Sequence, residues 1–209
     1  MRPDSTDCVE VVVIGGSSGS VELMLKVLPQ LPADYGPAVL LCLHAAPNST
    51  QGLVELLADR SELPVVEAED KQPIVAGTIH VAPGGYHLLV ERDRSLSLSI
   101  DPPVLYARPS IDVLFETAAA CYGERLLALV LTGASADGAV GAECVQKHGG
   151  LVYVQDPAQC PAPTMPEAVL ARLKPDTVLH PADIADALCR VGICAASAKS
   201  SALKPTHHE

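Results

Sequence analysis

The chain has 209 residues, of which 48% are apolar, and it carries 14 basic against 25 acidic side chains, a net charge of −11. That length allows one sizeable core or at most two small ones, and with no Lys/Arg block to offset the acidity, nucleic-acid binding through phosphates is disfavoured. No apolar run approaches the roughly 18–20 residues that cross a bilayer, and the polar start lacks the apolar core of a signal peptide. A cytoplasmic protein with no membrane insertion is expected.

In chain order, residues 11–14 (Val-Val-Val-Ile) read as a fully buried strand. Gly15-Gly16-Ser17-Ser18-Gly19 follows and opens a helix over 21–28, closed by Pro29 and Pro32. Residues 38–43 form a second continuous apolar strand ending at His44. Pro47-Asn48-Ser49-Thr50 starts the next helix, and 63–68 is a short strand. Residues 77–82, 86–91 and 95–100 are taken as a β-meander. Strict alternation in the last of these predicts a solvated face and hence an antiparallel edge.

A loop from Pro102 reaches Arg108-Pro109-Ser110, where Ser110 caps a helix over 111–121. Residues 126–131 are a third buried strand, emptying into Thr132-Gly133-Ala134-Ser135-Ala136-Asp137-Gly138. Residues 151–156 are a fourth, followed by a proline-rich loop and a helix starting near Glu167. A strand at 177–179 and a helix over 184–188 end the fold. The fold class is therefore α/β: a doubly wound, mainly parallel sheet with helices on both faces and an antiparallel hairpin or meander at one edge. One domain is expected over 1–194, with a disordered tail over 195–209.

The turn after the first strand has three readings: a G-x-S-x-G elbow presenting Ser17 as a nucleophile, an anion cradle, or a structural corner. A dinucleotide fingerprint is disfavoured, since Ile14 stands where its first glycine belongs and the second strand ends in His44 instead of an acid. Sites in such sheets form at the carboxyl ends of the strands. The four buried strands deliver Ser17, His44, Asp137 and Asp156 there. A hydroxyl, an imidazole and a carboxylate at one rim are the parts of a nucleophile–base–orienter relay. His80 or His87 compete for the base role, Asp156 for the acid, and Asp137 also suits a helix cap. The seven cysteines include no C-x-x-C and the histidines no H-E-x-x-H, so no metal is expected.

Taken together, Ile14-Gly15-Gly16-Ser17-Ser18-Gly19, His44 and His80-Val81-Ala82-Pro83-Gly84-Gly85-Tyr86-His87 resemble the chemotaxis protein-glutamate methylesterases (the CheB catalytic domain). So do Arg108-Pro109-Ser110-Ile111-Asp112-Val113-Leu114-Phe115, Leu131-Thr132-Gly133 with Asp137-Gly138, and Met165-Pro166. The resemblance runs in register from about Val11 to Leu188. It implies a serine hydrolase that removes methyl esters from glutamyl residues of chemoreceptors, releasing methanol, and more loosely deamidates receptor glutamines. It places the nucleophile on Ser17, the base on His44, the acid on Asp137 and the oxyanion-binding backbone N–H groups on Ser18 and Ala134. No cofactor is implied.

The implied partners are the methylated cytoplasmic helices of chemoreceptors. The family normally carries an N-terminal receiver domain and none is expected before Val11, so either the chain is a stand-alone or excised catalytic unit, or regulation comes from another chain such as a separate response regulator or methyltransferase. Departures from the family pattern are Ala134 in place of a usual methionine, Ser20 in place of glycine, and Ala45-Ala46-Pro47-Asn48 after the histidine. Two other readings compete: a catalytically weak regulatory or scaffold relative, which predicts a damaged relay, and a nucleotide-binding module.

Overall fold

The computed structural model describes residues 9–44 and 49–191. The departure at 45–48 and the tail expected over 195–209 lie outside the described residues. In chain order the elements are β1 (Val11–Gly16), α1 (Ser20–Val27), β2 (Ala38–Leu43), α2 (Thr50–Ala58), β3 (Val65–Glu67), β4 (Ile79–Val81), β5 (His87–Val90) and β6 (Leu96–Ser99). There follow α3 (Ile111–Tyr122), β7 (Leu126–Val130), α4 (Ala139–Lys147), β8 (Leu151–Gln155), α5 (Thr164–Arg172) and β9 (Thr177–Leu179). A last helix, α6, begins at 184 and continues to 191, the last described residue.

Seven strands form one parallel sheet in the order β3-β4-β2-β1-β7-β8-β9. Central β1 is buried along its whole length, as its unbroken apolar run requires of a strand covered on both faces. Its side chains alternate between two cores. Val12 and Ile14 pack with Met24 and Val27 of α1, Leu57 of α2 and Ile184 and Leu188 of α6. Val11 and Val13 pack with Leu114 and Phe115 of α3, Val145 of α4 and Val169 of α5.

The antiparallel pair is present as β5–β6, a two-stranded sheet of its own. Its Leu88, Val90 and Leu96 join the same core as Leu114, Phe115 and Ala118 of α3, so it packs on that helix instead of extending the main sheet. Residues 77–82 do not belong to a meander. β4 pairs in parallel with β2 and β3, and Ile79, His80 and Val81 are all buried. A three-residue strand covered on both faces carries no alternation to distinguish it.

The chain leaves β1 toward β2 and β4, then returns to β7 on the opposite side of β1. The loops at the carboxyl ends of β1 and β7 therefore diverge around a crevice, the place where open α/β sheets hold their ligands.

Candidate active site

Three strand ends are laced together at that crevice. Leu131 N–H donates to Gly15 O at 2.8 Å, Ser17 N–H to Thr132 O at 2.9 Å, and His44 N–H to Gly16 O at 3.1 Å. Ser17 O in turn accepts from Ser20 N–H and Ser20 Oγ, closing the turn that starts α1. Gly19 adopts φ 85°, a region a side chain would strain. On the opposite wall, a Cβ on Gly133 would stand 2.6 Å from Met165 Cε and 3.0 Å from Ser17 Cβ. The β7 loop can run this close to Ser17 because that position has no side chain.

His44 lies just past β2 with 16% of its side chain exposed, and its Nε2 is 2.8 Å from Asp137 Oδ2. Asp137 is fully buried. Its Oδ2 also accepts from Ile111 N–H at 2.7 Å, and its Oδ1 accepts from Asp112 N–H at 3.0 Å and Ser110 Oγ at 2.8 Å. The carboxylate thus sits on the first turn of α3, where unpaired N–H groups and the helix dipole favour negative charge. Burial alone would raise its pKa. The hydrogen bonds from His44, from the backbone of Asp112 and Ile111 and from Ser110 outweigh that and hold it below the usual carboxylate range.

The structure therefore brings His44 and Asp137 into direct contact and places Ser17 on the adjacent strand end. Among the described residues, no hydrogen bond joins Ser17 Oγ to His44. Ser18 and Ala134 are exposed, and their backbone N–H groups have no protein acceptor among the described residues.

The competing residues are engaged elsewhere. His87 accepts from Ser110 N–H at Nδ1, 3.2 Å, and its Nε2 faces Pro102 O at 3.2 Å. His80 is fully buried on β4 and accepts from Val75 N–H; burial holds its pKa below the ordinary value despite that bond. Asp156 accepts from Ala158 N–H and caps the short turn after β8.

Sequence reasoning missed Asp112. Its side chain is only 5% exposed, and its Oδ1 accepts from Gly141 N–H of α4 at 2.7 Å. The one local signal was an acid in the first turn of the helix that Ser110 caps. Gln155 was missed too: buried at the end of β8, its Oε1 accepts from Thr132 N–H at 2.8 Å and steadies the β7 loop.

Beside His44 opens a cleft of about 380 Å³ that Leu105, Tyr106, Arg108, Pro109 and Ser135 also line. Among the described residues, no helix is long and apolar enough to cross a membrane.

The CheB methylesterase family model matches residues 12–188. A relative from Leptospira interrogans is 38% identical over 182 residues, covering 87% of this chain and 94% of that protein. The protein-glutamate methylesterase/protein-glutamine glutaminase of Symbiobacterium thermophilum is 38% identical over 180 residues, covering 86% of this chain and 50% of that protein. The crystal structure of the Thermotoga maritima CheB methylesterase catalytic domain matches with a TM-score of 0.84 at 31% identity, covering 88% of this chain and 98% of that one. The chain thus spans nearly all of the Leptospira relative and about half the length of the Symbiobacterium one.

Proposed function

The chain belongs to the CheB methylesterase family, and from that premise we propose that it is a serine hydrolase of glutamyl methyl esters on chemoreceptor cytoplasmic helices. Ser17 is the nucleophile, His44 the base and Asp137 the orienting acid. With Nε2–H of His44 donated to Asp137, Nδ1 is the nitrogen left to take a proton. Ser17 Oγ bonds to the ester carbonyl carbon as its proton passes to His44. The carbonyl oxygen, now negative, meets the free N–H groups of Ser18 and Ala134. Each such donor is worth about 10²–10³ in rate.

Collapse breaks the bond to the methoxy oxygen, which leaves as methanol with the proton from His44. Water, giving a proton to the same imidazole, then attacks the acyl carbon; the bond to Ser17 Oγ breaks, His44 returns the proton to Ser17, and the glutamyl side chain leaves as a carboxylate still attached to its polypeptide. The same steps on a glutamine side chain release ammonia. Among the described residues no hydrogen bond joins Ser17 Oγ to His44, and catalytic hydrogen bonds of this kind commonly tighten only in the substrate complex.

The observation that carries this reading is the His44–Asp137 bond at the rim next to Ser17, with Asp137 held anionic by the first turn of α3. The test is methanol release from a methylated chemoreceptor fragment, by the protein and by Ser17→Ala. Release by the former and loss by the latter support it. A protein that binds the fragment without releasing methanol is instead a scaffold.

A further inference from the structure

The wall of the cleft facing His44 holds a feature that the chemistry above does not use. Val104 and Ala107 exchange both backbone hydrogen bonds, at 3.1 and 2.8 Å. They close a two-residue turn with Leu105 (φ 47°) and Tyr106 (φ 65°) at its tip. Such turns ordinarily carry Asn or Gly, and a left-handed backbone costs about 1–2 kcal/mol at each other residue. Here the strained positions hold a large aliphatic and an aromatic side chain, yet both remain largely in solvent. Leu105 is 51% exposed and Tyr106 fully so.

The base of the turn is held firmly. Arg108 Nη1 donates to Ile100 O and Asp101 O at 2.8 and 3.0 Å, and Arg108 O accepts from Gly85 N–H at 3.1 Å. Ile100 and Tyr86, beside those anchor points, are exposed as well. Of the nine exposed large apolar side chains among the described residues, Leu105 and Tyr106 therefore line the cleft and two more, Ile100 and Tyr86, lie next to the anchor points of the turn. Clustering of that kind marks an interaction surface, whereas single exposed apolar residues mean nothing. Arg108 also places a cation in that cleft on a chain of net charge −11. Its Nε is buried without a protein partner among the described residues.

The occupant follows from the site. A glutamyl ester is a side chain of a polypeptide, so bringing it to His44 draws the flanking residues across the mouth where the turn stands. We propose that Leu105 and Tyr106 are the specificity-determining contact of this site, packing against apolar side chains that flank the glutamyl ester on the substrate polypeptide. Arg108, at their base, faces acidic neighbours of that ester. The proposal rests on the esterase reading above.

The experiment measures methanol release from a methylated chemoreceptor fragment over a range of concentrations, using the full chain, Tyr106→Ala, the Leu105→Ala/Tyr106→Ala double variant and Tyr106→Phe. A docking contact made equally in ground and transition states raises KM and leaves kcat unchanged. KM should rise about tenfold for Tyr106→Ala and further for the double variant, while kcat holds. Tyr106→Phe should restore the wild-type KM. Thermal unfolding should not fall, since neither side chain is buried. Unchanged KM in all variants, or a fall in kcat alone, overturns this proposal while the esterase reading stands. An unmodified protein that releases no methanol overturns both.

Discussion

Asp112 and Asp137 each cap the helix that follows the other's loop. Asp137, just ahead of α4, accepts the N–H of Asp112 on the first turn of α3, while Asp112 accepts Gly141 N–H on the first turn of α4. The two helix starts are therefore locked by an exchange of carboxylates, and the His44 partner is one half of the exchange. Fixing α3 against α4 in this way fixes the oxygen that orients the imidazole.

The pair responds to pH with opposite signs. Burial pushes the Asp112 carboxyl up to about 6; the Gly141 N–H opposes this and the charge of Asp137 adds to it. A folded-state value above the unfolded one gives stability that is present in acid and lost as pH rises through about 6, a change of about 2–3 kcal/mol by neutrality. Asp137 is held below the usual range, so its contribution is present at neutral pH and lost as pH falls through its folded value. Asp112→Asn keeps an oxygen for Gly141 N–H but removes the charge. Denaturant titrations between about pH 5 and about pH 7.5 should show the wild-type decline flattened in the variant. An unchanged decline places its origin elsewhere.

Asp137→Ala should damage stability and activity together. It strips acceptors from Ile111 N–H, Asp112 N–H and Ser110 Oγ, all buried, besides freeing His44. Loss of a helix cap and stranded buried donors together cost about 2–4 kcal/mol. Asp137→Asn retains part of that bonding and should recover much of the stability without the activity, because a neutral amide does not stabilise the imidazolium. Calorimetry and methanol release on the two variants separate the roles.

Gly133→Ala should lower activity more than stability. The added methyl meets the end of Met165, which can turn aside, and Ser17 Cβ, which is fixed by the backbone bonds of its turn. Displacements of about 1 Å in a catalytic group can cost about 10²-fold in rate. Calorimetry and methanol release on the variant check this: a melting temperature near the wild-type value with a low kcat is expected, and an unchanged kcat would mean that Ser17 had not been moved.

Much of this arrangement was legible from local chemistry. The run Val11–Val12–Val13–Ile14 announces a strand with two covered faces, and the ends of four such strands supply Ser17, His44, Asp156 and, several residues beyond β7, Asp137. Strand-end reasoning brought them to one rim without any distance. It did not find Asp112, whose partner Gly141 lies 29 residues away and whose place in a first turn looks like ordinary dipole compensation. The Leu105–Tyr106 tip was hidden because left-handed positions are signalled by Gly or Asn, and neither is there. β4 was misplaced because three buried residues have no period to read.

Ser17 and His44 are proposed to act as one unit although no hydrogen bond joins Ser17 Oγ to His44 among the described residues. The decisive measurement is the methanol-release rate of Ser17→Ala, His44→Ala and the double variant on a methylated chemoreceptor fragment. Residues of a relay are strongly non-additive, so each single change should cost about 10³-fold or more and the double change no more than either. A His44→Ala protein near the wild-type rate, or single losses that multiply in the double variant, would contradict the account.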